Sequence, residues 1–280
     1  MNSKPKVTVV TVCYNCCPVI ERTLQNVLKQ TYDRLEYIVI DGGSTDGTRD
    51  IVARYADRLA YWSSESDAGI YDAMNKGIRR ATGDWIIFRN AGDYFFRSTT
   101  IEEVFRWYDD QGEALIVGGT RNFGARGYRD AFYHRQQEDV WHRAFLPHPS
   151  TFIRLSVQQA HPYATRYRIS SDYAFFLTIL LGGATLTCYD GLVSLFDCEE
   201  GISSRRLAEG WKEILHIRRQ LGAPTAVIRV TEKRLRFVRI TAFVHRLLAL
   251  LNKRLYSAYR HRHHEAGWTQ QPMEVTLKDA

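Results

Sequence analysis

The run Trp85-Ile86-Ile87-Phe88 constrains most tightly what this chain folds into. Four consecutive apolar residues behind the breaker Gly83 suit a strand buried on both faces, as strands of a parallel sheet are. Before it, Ile70 to Arg80 carries apolar residues at Ile70, Ala73, Met74 and Ile78, the spacing of a helix with one buried face. The strand runs straight into Asn90-Ala91-Gly92-Asp93. A carboxylate at the C-terminal end of a central strand in an open α/β sheet sits where such sheets bind ligands. Asp93 is therefore a candidate for holding a hard cation, which prefers oxygen ligands. An Asp there also caps turns, and the residue alone does not separate the two roles.

The chain upstream alternates in the same way. Lys6 to Cys13 is rich in β-branched residues and reads as a buried first strand. Pro18 opens a helix over Val19 to Gln30, with Ile20, Leu24, Val27 and Leu28 on one face. Tyr37 to Ile40 is a second strand, ending in the turn-rich Asp41 to Thr48 and a helix from Thr48 to Tyr55. Leu59 to Trp62 completes a third. Such alternation predicts a mostly parallel sheet with helices on both faces. Nicotinamide enzymes share that architecture, but Cys13-Tyr14-Asn15-Cys16-Cys17 stands where G-x-G-x-x-G is needed. No G-x-x-x-x-G-K-[ST] occurs either, which removes the P-loop NTPases.

Hydrophobic content of 45% and charged content of 25% over 280 residues are ordinary globular values, so disorder is not the theme. The five cysteines are an odd number in a chain with no evident signal peptide, which speaks against a disulfide framework and for a reducing cytoplasm. Cys13 to Cys16 has the C-x-x-C form without a second pair at zinc spacing. No apolar run reaches the ~18 residues needed to span a bilayer.

Four motifs in order carry a family resemblance: Val9 to Asn15; Ile38-Val39-Ile40-Asp41-Gly42-Gly43-Ser44-Thr45-Asp46-Gly47-Thr48; Asp67-Ala68-Gly69-Ile70-Tyr71-Asp72-Ala73-Met74-Asn75-Lys76-Gly77; and Gly83 to Asp93. Over about its first hundred residues the chain resembles the family 2 glycosyltransferases of GT-A fold. The resemblance implies that Val12, Tyr14 and Asp41 hold the nucleobase of a nucleotide-sugar donor and that Asp67 lines its pocket. It implies that Asp93, the last acid of the family's D-x-D, meets a divalent cation (Mg²⁺ or Mn²⁺) and the diphosphate. Here that motif is Ala91-Gly92-Asp93, and its first acid is missing.

Three later segments carry chemistry. Thr120 to Gln137, rich in Gly, Arg and Tyr, is an acceptor-facing excursion or a surface hairpin. Pro147-His148-Pro149 precedes a strand, and the resemblance places His148 near the diphosphate or a donor hydroxyl; a histidine satisfied within its loop is the alternative. Ser170-Ser171-Asp172 precedes a helix with apolar residues at Tyr173, Phe176, Leu177 and Leu180, as an N-terminal cap does. It also resembles the family's acidic motif, whose carboxylate is the general base, and a helix dipole favours the ionised form there. Thr185 to Tyr189 and Leu192 to Phe196 read as two short strands.

The boundary is expected near Ser204, giving a catalytic domain over 1–204 and a basic helical region over 205–280. Leu207 to Leu221 and Ala226 to Tyr259 read as helices. From Arg229 to Arg262 there are ten Lys/Arg against the single acid Glu232, a formal +9 in a chain of +7 overall, so the remainder carries −2. These helices pack on the catalytic domain or pair with another copy, or they lie on an anionic membrane surface with basic side chains at the headgroups. No groove-reading motif accompanies the charge, so nucleic acid is not the expected partner. The tract Arg260 to His264 is a polar tail or a metal-binding cluster.

The chain thus reads as an inverting transferase moving a sugar from a nucleotide sugar to a lipid-linked saccharide acceptor of a bacterial surface polysaccharide, at the cytoplasmic face of the membrane. A nucleotidyltransferase of related fold and a non-catalytic sugar-nucleotide-binding protein are the alternatives.

Overall fold

A computed structural model describes residues 4–124, 127–133, 139–197 and 206–251, with side chains through 244. Among the described residues nine strands form one sheet in the order β3-β2-β1-β4-β8-β6-β9-β5, with β7 on the flank of β6. The first half follows the alternation of the sequence: β1 (Val7–Cys13), α1 (Cys17–Leu28), β2 (Leu35–Asp41), α2 (Thr48–Ala53), β3 (Tyr61–Ser64), α3 (Ile70–Arg80) and β4 (Trp85–Phe88). All seven residues of β1 and all four of β4 are buried. β1 pairs in parallel with both β2 and β4, and β2 with β3. The register sets Cys13 beside Asp41 and Asp41 beside Ser64, so three strand ends and their loops share one edge.

The second half is built differently. β5 (Tyr94–Phe95), α4 (Thr100–Trp107), β6 (Leu115–Gly124), β7 (Gly127–Ala131), α5 (Val140–Arg143), β8 (Thr151–Arg154), α6 (Leu155–Ala160), α7 (Ser171–Leu181) and β9 (Leu186–Asp197) complete the sheet and its helices. β8 runs antiparallel to β4 and β6, β7 to β6, and β5 to β9; only β6 and β9 pair in parallel. The sheet is therefore mixed rather than mostly parallel. Four ladders of each kind are present among the described residues.

Helices cover both faces. Ile20, Leu24 and Val27 of α1 and Ile101 and Val104 of α4 close one core. Tyr71, Met74 and Ile78 of α3 join Phe176 and Leu177 of α7 in the other. Gly77 lets α3 approach the sheet, since a Cβ there would lie 2.5 Å from Val10 Cγ1.

Two helices end the described chain, α8 (Leu207–Gln220) and α9 (Thr225–Leu251). Ile214 and Ile217 of α8 belong to the α3–α7 core. Arg218 is buried and donates to the Tyr173 hydroxyl (2.8 Å), the Trp141 carbonyl (2.6 Å) and Thr231 Oγ1 (2.6 Å), tying α7, α5, α8 and α9 together. The boundary expected at Ser204, the basic positions from Lys253 to Arg262 and the tract Arg260 to His264 lie outside the described residues. No helix among the described residues is long and apolar enough to cross a membrane.

Candidate active site

The seven expected site residues fall into two groups joined by β4 and its extension. The first lies at the ends of β1, β2 and β3. Asp41 is fully buried and accepts from Ser44 N–H (3.0 Å) and Ser64 Oγ (2.6 Å) through Oδ2, and from the Ser44 hydroxyl through Oδ1. In this state it shapes the loop that would face a ligand. Asn15, at φ +47, accepts Thr45 N–H through its side chain (2.9 Å), so the loops after β1 and β2 are laced together. Gly42 brings two other residues close: a Cβ there would lie 2.5 Å from Asp67 Oδ2 and 3.3 Å from Tyr14 Cδ2. Asp67 accepts Gly69 N–H (2.8 Å) at the start of α3, and Tyr14 is exposed, its ring free to meet a planar group. The carbonyl of buried Val12 accepts Ala91 N–H (3.1 Å), which carries the path of β4 along β1 to the second group.

That second group is Asp93, His148 and Asp172, and all three line one cavity of 810 Å³. Gly92, at φ +98, turns the chain here and donates to Thr23 Oγ1 (2.9 Å). Asp93 sits next, at the joint where the parallel half meets β5 and β9. Burial pushes its carboxyl up to about 7; the Arg89 guanidinium pulls against this, and Asp197 across the cavity adds to the rise. Arg89 is itself wholly buried, 3.8 Å over the Phe95 ring, and burial lowers it to about 9. Its Nη1 donates to the Phe88 and Pro149 carbonyls, while Nε and Nη2 have no hydrogen-bond partner among the described residues.

His148 is buried, stacked on Phe88 and 2.8 Å through Nε2 from the Tyr163 hydroxyl. Burial holds its pKa below the ordinary imidazole value, so the ring is neutral at pH 7. Asp172 is the second residue of α7, within the first turn whose free N–H groups favour a carboxylate. Its Oδ1 accepts Tyr173 N–H (2.8 Å) and lies 3.0 Å from the Tyr71 hydroxyl. Ser170, at the cap position, makes no capping hydrogen bond to the helix; its hydroxyl donates to the Gly210 carbonyl (3.2 Å). Instead Glu213 of α8 accepts the N–H groups of Arg168 (2.8 Å), Ile169 (3.0 Å) and Ser170 (2.9 Å), fixing the loop that delivers Asp172.

The Thr120–Gln137 segment is, over its described part, the hairpin the sequence allowed. It forms the β6–β7 hairpin, and Asn122, Ala131, Phe132 and Tyr133 also wall the cavity; 134–137 lie outside the described residues. Among the described residues Cys13, Cys16 and Cys17 form no disulfide, and no three His, Cys, Asp or Glu converge on a metal. Sequence reasoning did not find Arg89, Asp197 or Glu213, whose positions depend on partners 4 to more than 100 residues away.

A parallel half with a loop cradle at its strand ends opens into a cavity lined by three carboxylates, Asp93, Asp172 and Asp197, an arrangement that suits a glycosyltransferase using a nucleotide-sugar donor. The chain belongs to Glycosyl transferase family 2, which matches residues 8–172. An uncharacterized glycosyltransferase of Mycobacterium tuberculosis H37Rv is 31% identical over 74% of this chain and 80% of its own length. A PGL/p-HBAD biosynthesis glycosyltransferase of Mycobacterium bovis BCG is 26% identical over 81% of this chain and 90% of its own. Among solved structures, the mannosyltransferase PcManGT of Pyrobaculum calidifontis with GDP-Man and Mn²⁺ superposes with a TM-score of 0.62 at 19% identity, covering 93% of this chain and 79% of that one. TarS of S. aureus with UDP gives 0.59 at 17% identity; the match covers 76% of this chain but only 65% of that one.

Proposed function

We propose that this chain is an inverting glycosyltransferase of GT-A fold, with a catalytic domain over 1–204 and a basic helical region over 205–280. It moves a sugar from a nucleoside-diphosphate donor to a hydroxyl of a lipid-linked saccharide during assembly of a bacterial surface glycan. The observation that carries this reading is the shared cavity: Asp172, on the first turn of a helix, faces the same space as Asp93 at the end of the strand pathway.

The donor's base lies against Tyr14, Asp41 and Asp67, and its diphosphate reaches Asp93. The residues at that point fit a divalent cation. A buried carboxylate whose proton is held up to about 7, with Asp197 near, favours an added positive charge. Mg²⁺ and Mn²⁺ are commonly held by one or two carboxylates plus substrate phosphates. When bound, such a cation neutralises charge on the departing diphosphate. Neutral His148 offers a ring N–H to a donor oxygen without adding charge. Asp172 takes the proton of the acceptor hydroxyl as its oxygen bonds to the anomeric carbon. The bond from that carbon to the diphosphate oxygen breaks on the opposite face, and the nucleoside diphosphate leaves. The basic outer side of α9 keeps the enzyme on the inner leaflet, where a lipid-linked acceptor is met and the donor comes from the cytoplasm.

The test is product analysis after a screen of nucleotide sugars with Mg²⁺ or Mn²⁺. Nucleoside diphosphate and a product of inverted anomeric configuration are expected. Release of pyrophosphate, or retention of configuration, would overturn the reading.

A further inference from the structure

We infer that the cavity continues into a route for an amphiphilic acceptor, from Asp172 past Phe145 and Trp211 to Arg234 and the outer face of α9; this rests on the transfer proposed above. A second hollow of 190 Å³ adjoins the main cavity and shares Phe145, Leu146, Ile169 and Asp172 with it. Its remaining wall is largely apolar and includes Trp211 and Ile214 of α8. The hollow is smaller than the roughly 300 Å³ at which small-molecule sites begin. Whatever enters it is part of a molecule whose reacting end is already in the main cavity.

From the hollow a line of ring contacts leads outward. The Phe145 ring is stacked at 4.5 Å on Tyr173, the residue after Asp172, and lies 5.8 Å from Trp211. The Arg234 guanidinium is 5.7 Å from the Trp211 ring and 5.8 Å from that of Phe237. Arg219, one layer away, is paired with Glu232 at 2.6 Å, whereas Arg234 has no carboxylate partner among the described residues. Beyond Phe237 lie Ile240 and Phe243, all three exposed.

Each position asks for a different chemistry. The carboxylate end takes a hydroxyl, the aromatic walls take an apolar surface, and the guanidinium between two rings takes an anion. The occupant is therefore a single amphiphile with a hydroxyl-bearing head, an anionic linker such as a phosphate ester, and a hydrocarbon tail leaving over Phe237. A free oligosaccharide has no anion for Arg234 and no tail for the apolar surface of Phe237, Ile240 and Phe243.

The full chain is labelled with octyl phosphate bearing a diazirine in its alkyl chain, below its micellar concentration, and the adducts are mapped. Labelling is expected on the Phe145 and Trp211 peptides and to be competed by unlabelled octyl phosphate. Trp211→Ala should lower it about tenfold. Arg234→Gln should lower it several-fold for the phosphate but not for an uncharged octyl glucoside carrying the same diazirine. Labelling confined to Phe237–Phe243, or unchanged in both variants, overturns the route. Nucleoside-diphosphate binding by thermal shift is measured on the same samples. Its absence from the wild type would count against the transfer reading whatever the labelling pattern.

Discussion

Glu36, low in β2, and Asp93, where the two halves of the sheet meet, are carboxylates of equal exposure, 7% each, with Asp93 the more deeply packed. At Glu36 burial works to raise the pKa, but the Lys6 ammonium (2.6 Å), the hydroxyls of Thr8 (2.7 Å) and Thr82 (2.5 Å) and the Thr82 N–H (2.7 Å) outweigh it and hold the carboxyl down to about 2. At Asp93 burial wins and the carboxyl rises to about 7, although Arg89 opposes it. A fully satisfied buried charge is a structural fastener. One left short of donors is held ready for something the fold does not itself supply. The contrast separates the end of the sheet that must stay closed from the edge that must receive substrate.

The strongest way to sharpen this contrast is Asp172→Asn. The amide keeps the side chain's shape and can still accept Tyr173 N–H, so the melting temperature should hold while kcat falls by ~10²–10⁴, the usual worth of a positioned base. Parallel loss of stability and kcat, or survival of kcat, would return Asp172 to a capping role.

Next in size is Glu36→Gln, which should destabilise the chain by about 2 kcal/mol at pH 7, because the amide loses the Lys6 ammonium and leaves charge-assisted donors short of an acceptor. The sign follows from a depressed pKa. The stabilisation is fully present above the unfolded value of 4.5 and is lost as pH falls toward about 2. Denaturant melts of both proteins at pH 7 and pH 3 check it, with the gap narrowing at the lower pH. A change in kcat at temperatures where both are folded would break the division between the closed end of the sheet and its substrate edge.

Asp93 has the opposite sign. Its raised pKa means that the folded chain binds more protons than the unfolded one between about 4 and about 7, so the cation-free protein should lose stability as pH rises through that window. Protons and the divalent cation compete for the same carboxylate. Cation-stimulated nucleotide binding should therefore weaken by about tenfold per pH unit below about 7. Titration calorimetry with Mn²⁺ and a nucleoside diphosphate between pH 5.5 and 8 reads it directly, and Asp93→Asn should flatten the profile. A wild-type profile already flat would mean that Asp93 is a turn residue.

The same contrast explains what could be read in advance. Ile70–Arg80 and Trp85–Phe88 lie where the periodicity put them, because Gly83 separates two unambiguous patterns. Asp93 and Asp172 were legible because each comes after a local signal, a strand end and a helix start. β9 was expected as two strands, since Asp190-Gly191 looks like a turn, yet it runs unbroken from Leu186 to Asp197. Gly118 makes this workable: a Cβ there would collide with Val193 Cγ2, so only a glycine admits the irregular β6–β9 pairing. Glu213 and Arg218 were hidden for another reason. On a helix read as a basic appendage they look like solvated charges, and their roles arise only once α8 closes over α7.

The smallest effect concerns α9. Leu235 and Val238 are buried, while Phe237, Ile240 and Phe243 are 58–68% exposed alongside the exposed Lys233, Arg236 and Arg239. An apolar face left open among cations fits an anionic bilayer, with each engaged basic residue contributing about 1 kcal/mol. Screening confines that attraction to ~8 Å at physiological salt, so the rings must insert for it to act. Arg236→Gln and Arg239→Gln should each weaken binding to phosphatidylglycerol vesicles about fivefold, and Phe243→Ser should remove the part that resists salt. None should alter kcat on a water-soluble acceptor, because this surface lies on the far side of α9 from the buried Arg218 that ties the helix pair to α7. Equal binding of the wild type to neutral and anionic vesicles at low salt would make the face a contact between copies of the chain, and sedimentation would then report a dimer that Phe243→Ser dissociates.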